Sequence, residues 1–192
     1  HIMRRRQRQM CIRDRLIICG GIAAYKSLEL IRLLKKDGVS IKTILTKNGA
    51  EFVTPLSITS LSQSKVYQDL FSIENEAEMD HISLSRWADL ILIAPATANT
   101  ISKLASGSSD DLASTVALAS NKKIFIAPAM NVRMWEHQST KQNIVKLKKY
   151  NYELIGPEIG DMACGEYGEG KMTEPNEIVN KLKIYLNNLK LK

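Results

Sequence analysis

No stretch of this 192-residue chain approaches the roughly twenty consecutive apolar residues of a membrane span, and no apolar core follows the N-terminal arginines as a secretory signal requires. A soluble, cytoplasmic protein is expected. Cysteine is scarce: Cys11, Cys19 and Cys164 form no CxxC and leave one thiol over in any bridging scheme, which fits a reducing compartment and argues against structural zinc. GxGxxG and Walker A sequences are both absent. A large charge excess is missing too, once the head is set apart. The formal charge is +7, but six arginines and one acid lie in the first fifteen residues, leaving 21 basic against 19 acidic groups in the rest. A near-neutral body gives no counterion-release argument for nucleic acid.

What is present suits one domain with a full core: 44% of the residues are hydrophobic. Residues 1–14 have no apolar periodicity and read as a non-native or disordered basic head, with the folded domain over 15–192. Within it, short apolar runs at 16–19, 40–45, 88–94, 123–127 and 152–155 read as strands. Amphipathic segments at 23–36, 97–105, 111–120, 140–150 and 176–189 read as helices, the last with Ile178, Leu182, Tyr185 and Leu189 on one face. This alternation predicts a three-layer α/β, Rossmann-like (flavodoxin-like) doubly wound parallel sheet.

Ligands of such sheets sit beyond the carboxyl ends of the strands. The segments expected there are Gly20, Gly21, Ile22 and Ala23; Thr46, Lys47 and Asn48; Pro95, Ala96, Thr97, Ala98 and Asn99; and Pro128, Ala129, Met130 and Asn131. They offer close backbone approach, hydroxyls and helix amino ends for a phosphate, and apolar surface for a planar ring. No acid ends the second strand to hold an adenosine ribose, so a mononucleotide such as a flavin is favoured over NAD or ATP.

Outside those loops, Cys164 stands in ACGEYGEGKM with three of the chain's ten glycines, as a thiol on a hinged loop would. Asn131, a polar amide after an apolar strand, needs partners, and a helix N-cap is the simplest. His81, taken alone, fits a satisfied structural imidazole slightly better than a base. Asp110 and Asp111 read as the start and cap of a helix, and Met130, Met134 and His137 as packing and surface, with Met134 also a pocket-lining candidate.

GGIAAYK (20–26), HISLSRWADLILIAPATANT (81–100), FIAPAMNVRMW (125–135) and ACGEYGEGKM (163–172) together resemble the homo-oligomeric flavin-containing cysteine decarboxylases. The similarity is greatest to the branch acting on phosphopantothenoylcysteine in coenzyme A biosynthesis, and it covers about residues 15–180. The resemblance implies FMN along Gly21, Ile22 and Ala23, then Thr46, Lys47 and Asn48, then Pro95, Ala96, Thr97 and Ala98, with Ala127 near the ring. It implies catalytic roles for His81, Asn131 and Cys164, the last on a substrate flap at about 156–172, and substrate contacts from Asn131, Met134, Ala163 and Lys171. Two positions depart from the pattern: Cys19 stands where Ser or Thr is usual, and Lys171 where Arg is usual.

The implied reaction converts 4'-phosphopantothenoylcysteine to 4'-phosphopantetheine. Oxidation at the thiol-bearing carbon gives a thioaldehyde, CO2 leaves to give an enethiolate, and reduction with protonation returns the thiol. His81 serves as base or charge-stabilising partner, Asn131 orients the carboxylate, and Cys164 donates a proton. The resemblance also implies a trimer or dodecamer and a phosphopantothenoylcysteine synthetase as fused domain or partner. Alternatives are a peptidyl-cysteine decarboxylase, a non-catalytic flavin-binding regulatory subunit, and a flavin prenyltransferase, the last disfavoured by Cys164 and Asn131.

Overall fold

The computed structural model describes residues 12–70 and 81–190. Six parallel strands form the central sheet in the order β3-β2-β1-β4-β5-β6. They are β1 (Arg13–Ile18), β2 (Ser40–Leu45), β3 (Val66–Tyr67), β4 (Leu90–Ala96), β5 (Lys123–Pro128) and β6 (Tyr152–Leu154). This is the Rossmann order; a flavodoxin sheet would run 2-1-3-4-5, so the Rossmann half of the expectation is the one realised. After β1 the chain winds one way to β2 and β3, then crosses to β4 on β1's other side. The loops leaving β1 and β4 therefore diverge and open a crevice at their carboxyl ends.

The continuous apolar runs work because the sheet is covered on both faces, and period 2 divides each run between them. Leu16 and Ile18 of β1, Leu92 of β4 and Phe125 of β5 pack with Leu30, Ile31 and Leu34 of α1 (Ala24–Lys36) and with Ile178 and Leu182 of the terminal helix. Ile17, Ile91, Ile93, Ile124 and Ile126 face the other way, onto α4 (Ala98–Ser106), α5 (Leu112–Leu118) and α7 (Gln138–Lys149). The remaining helices are α2 (Pro55–Ser62), α3 (His81–Trp87), α6 (Val132–Glu136) and α8 (Pro175–Lys190). Outside the sheet, β7 (Glu158–Asp161) and β8 (Tyr167–Lys171) form an antiparallel hairpin. It occupies the segment expected as the flap.

Helix starts obey local chemistry. The Thr97 hydroxyl accepts from Thr100 N–H, and Asp111 and Ser114 make a reciprocal capping box. Asp111 is thus the cap that its sequence position predicts.

Two boundaries differ from expectation. The basic head was set at 1–14, yet β1 begins at Arg13 and pairs it with Ser40, and Asp14 and Arg15 are fully buried in the sheet. Their charges hide a strand in the sequence pattern. Residues 1–11 lie outside the described residues. Pro95, Ala96 and Pro128, expected in loops, are the last residues of β4 and β5.

Candidate active site

Two cavities open at the carboxyl ends of the strands. The first, about 490 Å3, lies between the β1–α1 turn and the hairpin and is lined by Gly21, Ile22, Ala23, Lys26, Met130, Asn131, Ala163, Cys164 and Lys171 among others. The second, about 510 Å3, is lined by Gly20, Thr46, Lys47, Asn48, Thr97, Asn99, Thr100, Lys103, Asp111 and Met134 among others. Neighbours in sequence fall on opposite sides, Gly20 against Gly21 and Asn131 against Met134, so the glycine turn and the first turn of α6 form a shared wall.

The expected cofactor residues therefore divide between the two cavities. Gly21, Ile22 and Ala23 face the flap cavity, while Thr46, Lys47, Asn48 and Thr97 face the second. Ala96 and Ala127 are 0% exposed, so neither offers a surface to a ring; they back the loops from inside the core. Pro95 is buried as well, and Pro95 and Ala98 line neither cavity. Met134, expected beside the substrate residues, lines the second cavity instead. His81 opens α3, and its side chain lies outside the described residues.

The amino end of α1 brings its positive dipole end to the flap cavity. This 13-residue helix has no side-chain cap and no acid in its first turn, and its Ala24, Tyr25 and Lys26 N–H groups donate to Gly21, Ile22 and Ala23 O at 2.9, 3.4 and 3.0 Å, which closes the turn that lines the cavity. A Cβ on Gly20 would lie 2.5 Å from Asn48 Cβ, which fixes glycine where the β1 and β2 loops meet. In the second cavity, the hydroxyls of Thr46 and Thr97 and the exposed Lys47 suit a phosphate monoester such as that of FMN. Nearby, Lys103 Nζ bridges Asp110 and Asp111 at 2.9 and 2.8 Å. Its hydrogen bonds to Asp111 and Asp110 push the ammonium pKa up. For Asp111, partial burial is outweighed by the bonds from Lys103 and Ser114, which hold its carboxyl low.

Cys19 takes no part as a reagent. It is 1% exposed, and burial pushes its thiol up to about 12 despite contacts to Thr100 and Thr97. Cys19 stands at the inner wall of the second cavity, so a thiol takes the place there of the hydroxyl usual at this position. Cys164, by contrast, is exposed at the tip of the hairpin.

Two polar residues of the flap cavity, Asn131 and Cys164, meet at one oxygen beside it. Asn131 is the N-cap of α6, and its Oδ1 accepts from Met134 N–H at 2.9 Å, which fixes the amide and leaves Nδ2 as its donor. That Nδ2 donates to Glu166 Oε2 at 3.0 Å. The Cys164 thiol donates to the same Oε2 at 3.8 Å. Glu166 was not among the sequence candidates, and nothing in its spacing marks it, because the contact spans 35 residues and exists only once the hairpin folds over α6.

At the opposite wall, Lys26 Nζ, nearly buried on α1, donates to Met172 O at 3.1 Å and to Glu174 Oε1 at 2.7 Å. Lys26 holds the Glu174 carboxyl below its usual range, with Lys171 3.6 Å from the same oxygen. Lys171 thus keeps a charge in the cavity where a fork-shaped guanidinium would make two parallel bonds.

What holds the hairpin down is backbone. Met130 N–H donates to Gly170 O at 3.1 Å. Gly170 has φ +143, and a Cβ there would run into the Met130 carbonyl, while one on Gly168 would stand 2.9 Å from Val132 Cγ2. Gly170→Ala is therefore expected to lift β8 off α6 at a cost of about 1–3 kcal/mol in docking, and to lower activity about ten- to hundredfold. Limited proteolysis within 158–171 should speed up while the rest of the domain stays resistant; unchanged proteolysis and activity would refute the packing argument.

Among the described residues no helix is long and apolar enough to cross a membrane, and no cluster of His, Cys, Asp and Glu could hold a metal ion. In comparisons with known proteins, the Haemophilus influenzae coenzyme A biosynthesis bifunctional protein CoaBC is 48% identical over 170 residues, 88% of this chain and 42% of that protein. The chain thus spans about two fifths of that relative's length. A solved PPC decarboxylase cysteine-to-serine mutant complexed with pantothenoylaminoethenethiol superposes with a TM-score of 0.83 at 32% identity, covering 92% of this chain and 99% of that one. The FMN binding protein AtHal3 gives a TM-score of 0.80 at 31% identity over 92% and 97%. Residues 5–187 match the flavoprotein family, and with nearly its whole length so matched the chain belongs to that family.

Proposed function

We propose that this chain is an FMN-dependent carboxy-lyase that converts 4'-phosphopantothenoylcysteine to 4'-phosphopantetheine in coenzyme A biosynthesis. The observation that carries the reading is the wall of the flap cavity, where a fixed amide and a thiol, both lining it, converge on one carboxylate oxygen. The PPC decarboxylase similarity over 99% of that chain supports the substrate, and the FMN binding protein supports the cofactor.

Bound FMN supplies the electron sink that carboxyl loss from an ordinary cysteine carbon lacks. The amino end of α1 with Thr46, Lys47 and Thr97 would hold it. Asn131 Nδ2 orients the substrate carboxylate as a neutral donor, without the tight ion pair that would hold the anion back from becoming CO2. Cys164 delivers a proton to the enethiolate carbon. His81 acts at the substrate's sulfur-bearing carbon, a role resting on the family resemblance alone. Ala163 and Lys171 line the substrate side of the cavity. The working enzyme is a cytoplasmic homo-oligomer, trimer or dodecamer, served by a phosphopantothenoylcysteine synthetase as a fused domain or partner; the bifunctional relative supports the fused domain.

The test is direct. Purified protein should be yellow, or become so with FMN, and should release CO2 from 4'-phosphopantothenoylcysteine faster than from a peptide ending in cysteine. A flavin-loaded preparation that leaves the substrate untouched would refute the reading.

A further inference from the structure

The geometry points to Glu166 as a resident carboxylate that reserves the substrate carboxylate's place: its Oε2 takes up the Asn131 amide and the Cys164 thiol, both of which line the flap cavity, and substrate binds by displacing it. This rests on the assignment of Asn131 to the substrate carboxylate made above.

The argument begins with Asn131. Its Oδ1 is committed to the N-cap bond with Met134 N–H, so only Nδ2 is free to bind a ligand, and Glu166 holds it at 3.0 Å. Glu166 is placed by the hairpin tip: Met162 N–H donates to Glu166 O and Gly165 N–H to Met162 O, both at 2.9 Å, with Gly165 at φ +81 closing the turn. The backbone thus delivers a carboxylate to the donor at high effective concentration. Cys164, two residues back on the same turn, donates to the same oxygen at 3.8 Å. An oxygen shared by the carboxylate-orienting amide and the proton-donating thiol marks the spot where the reacting carboxylate belongs. Glu166 is therefore a positioning residue that aligns both groups before substrate arrives, at the expense of affinity for the carboxylate it imitates.

The test is a comparison of two ligands that differ by one carboxylate. In the FMN-loaded Glu166→Ala variant, KM for 4'-phosphopantothenoylcysteine should fall about tenfold, the worth of one charge-assisted hydrogen bond. The inhibition constant of 4'-phosphopantetheine, which has no carboxylate, should stay put. Glu166→Gln keeps an accepting oxygen and should remain within about threefold of the wild type, because the bond persists in neutral form. An unchanged or raised KM in Glu166→Ala, or a product constant that moves with KM, overturns the proposal, since a merely structural glutamate would shift both ligands together. Should the wild type neither bind nor turn over the substrate, the functional reading fails, and acetate then decides the Glu166 proposal separately. Acetate should slow iodoacetamide labelling of Cys164 in Glu166→Ala and leave wild-type labelling unchanged; no protection in the variant refutes it.

Discussion

Replacing Cys164 by serine is expected to lower the rate of 4'-phosphopantetheine formation by about a hundred- to ten-thousandfold, the usual worth of a positioned proton donor. CO2 release in the first turnover should survive, because Asn131 remains and the hairpin keeps its backbone bond from Met130 to Gly170. The product should leave as the enethiol, two hydrogens short of phosphopantetheine, since a serine hydroxyl is a far weaker acid than a thiol. Mass analysis of the released product and the flavin absorbance after one turnover read this out. Wild-type rates of phosphopantetheine formation in the variant would remove Cys164 from the mechanism. Cys19 provides the internal contrast: it is buried and its thiol is pushed up to about 12, so Cys19→Ala should change turnover little.

A second large effect is expected far from the cavities, at Asp14. Both of its oxygens are buried without a hydrogen-bond partner among the described residues. Burial pushes its carboxyl up to about 8, only partly countered by Arg15 next to it in the strand. The folded pKa lies above the ordinary value of 3.8, so the native state holds this proton more tightly than the unfolded chain. The stability it permits is present in full below pH 4 and is lost as pH rises through 8, by about 4–6 kcal/mol from this group alone. Asp14→Val places a β-branched apolar residue in a strand buried on both faces and removes that dependence. Denaturant midpoints should rise in the variant at pH 8 and converge with the wild type near pH 4. Parallel profiles across that range would show that Asp14 finds a partner or solvent. Arg15, whose pKa burial lowers to about 10, acts above this window.

These two sites mark how legibility varied along the chain. Apolar runs at β4 and β5 announced strands because a parallel sheet covered on both sides leaves few polar positions in them. The loops after those strands were legible for the same reason: once the strands are placed, the crevice at their carboxyl ends follows from the topology. The start of β1 was not, since Arg13, Asp14 and Arg15 carry the pattern of an exposed head while the sheet takes them in. Asn131 could be identified as a polar residue in need of partners, and as a cap, from its place before a short helix. Its second partner, Glu166, could not.

The sequence by itself determined the layered α/β architecture, the four loops that meet at the strand ends and the resemblance carried by its motifs, because apolar periodicity and turn residues act through near neighbours. Only the tertiary structure decided which residues share a cavity. Gly20 and Gly21 part company there, Met134 turns away from Asn131, Ala96 and Ala127 retreat into the core, and Glu166 comes to lie between an amide and a thiol. Those outcomes depend on how a hairpin folds over a helix 30-odd residues away, and packing across such distances leaves no local signature in the chain.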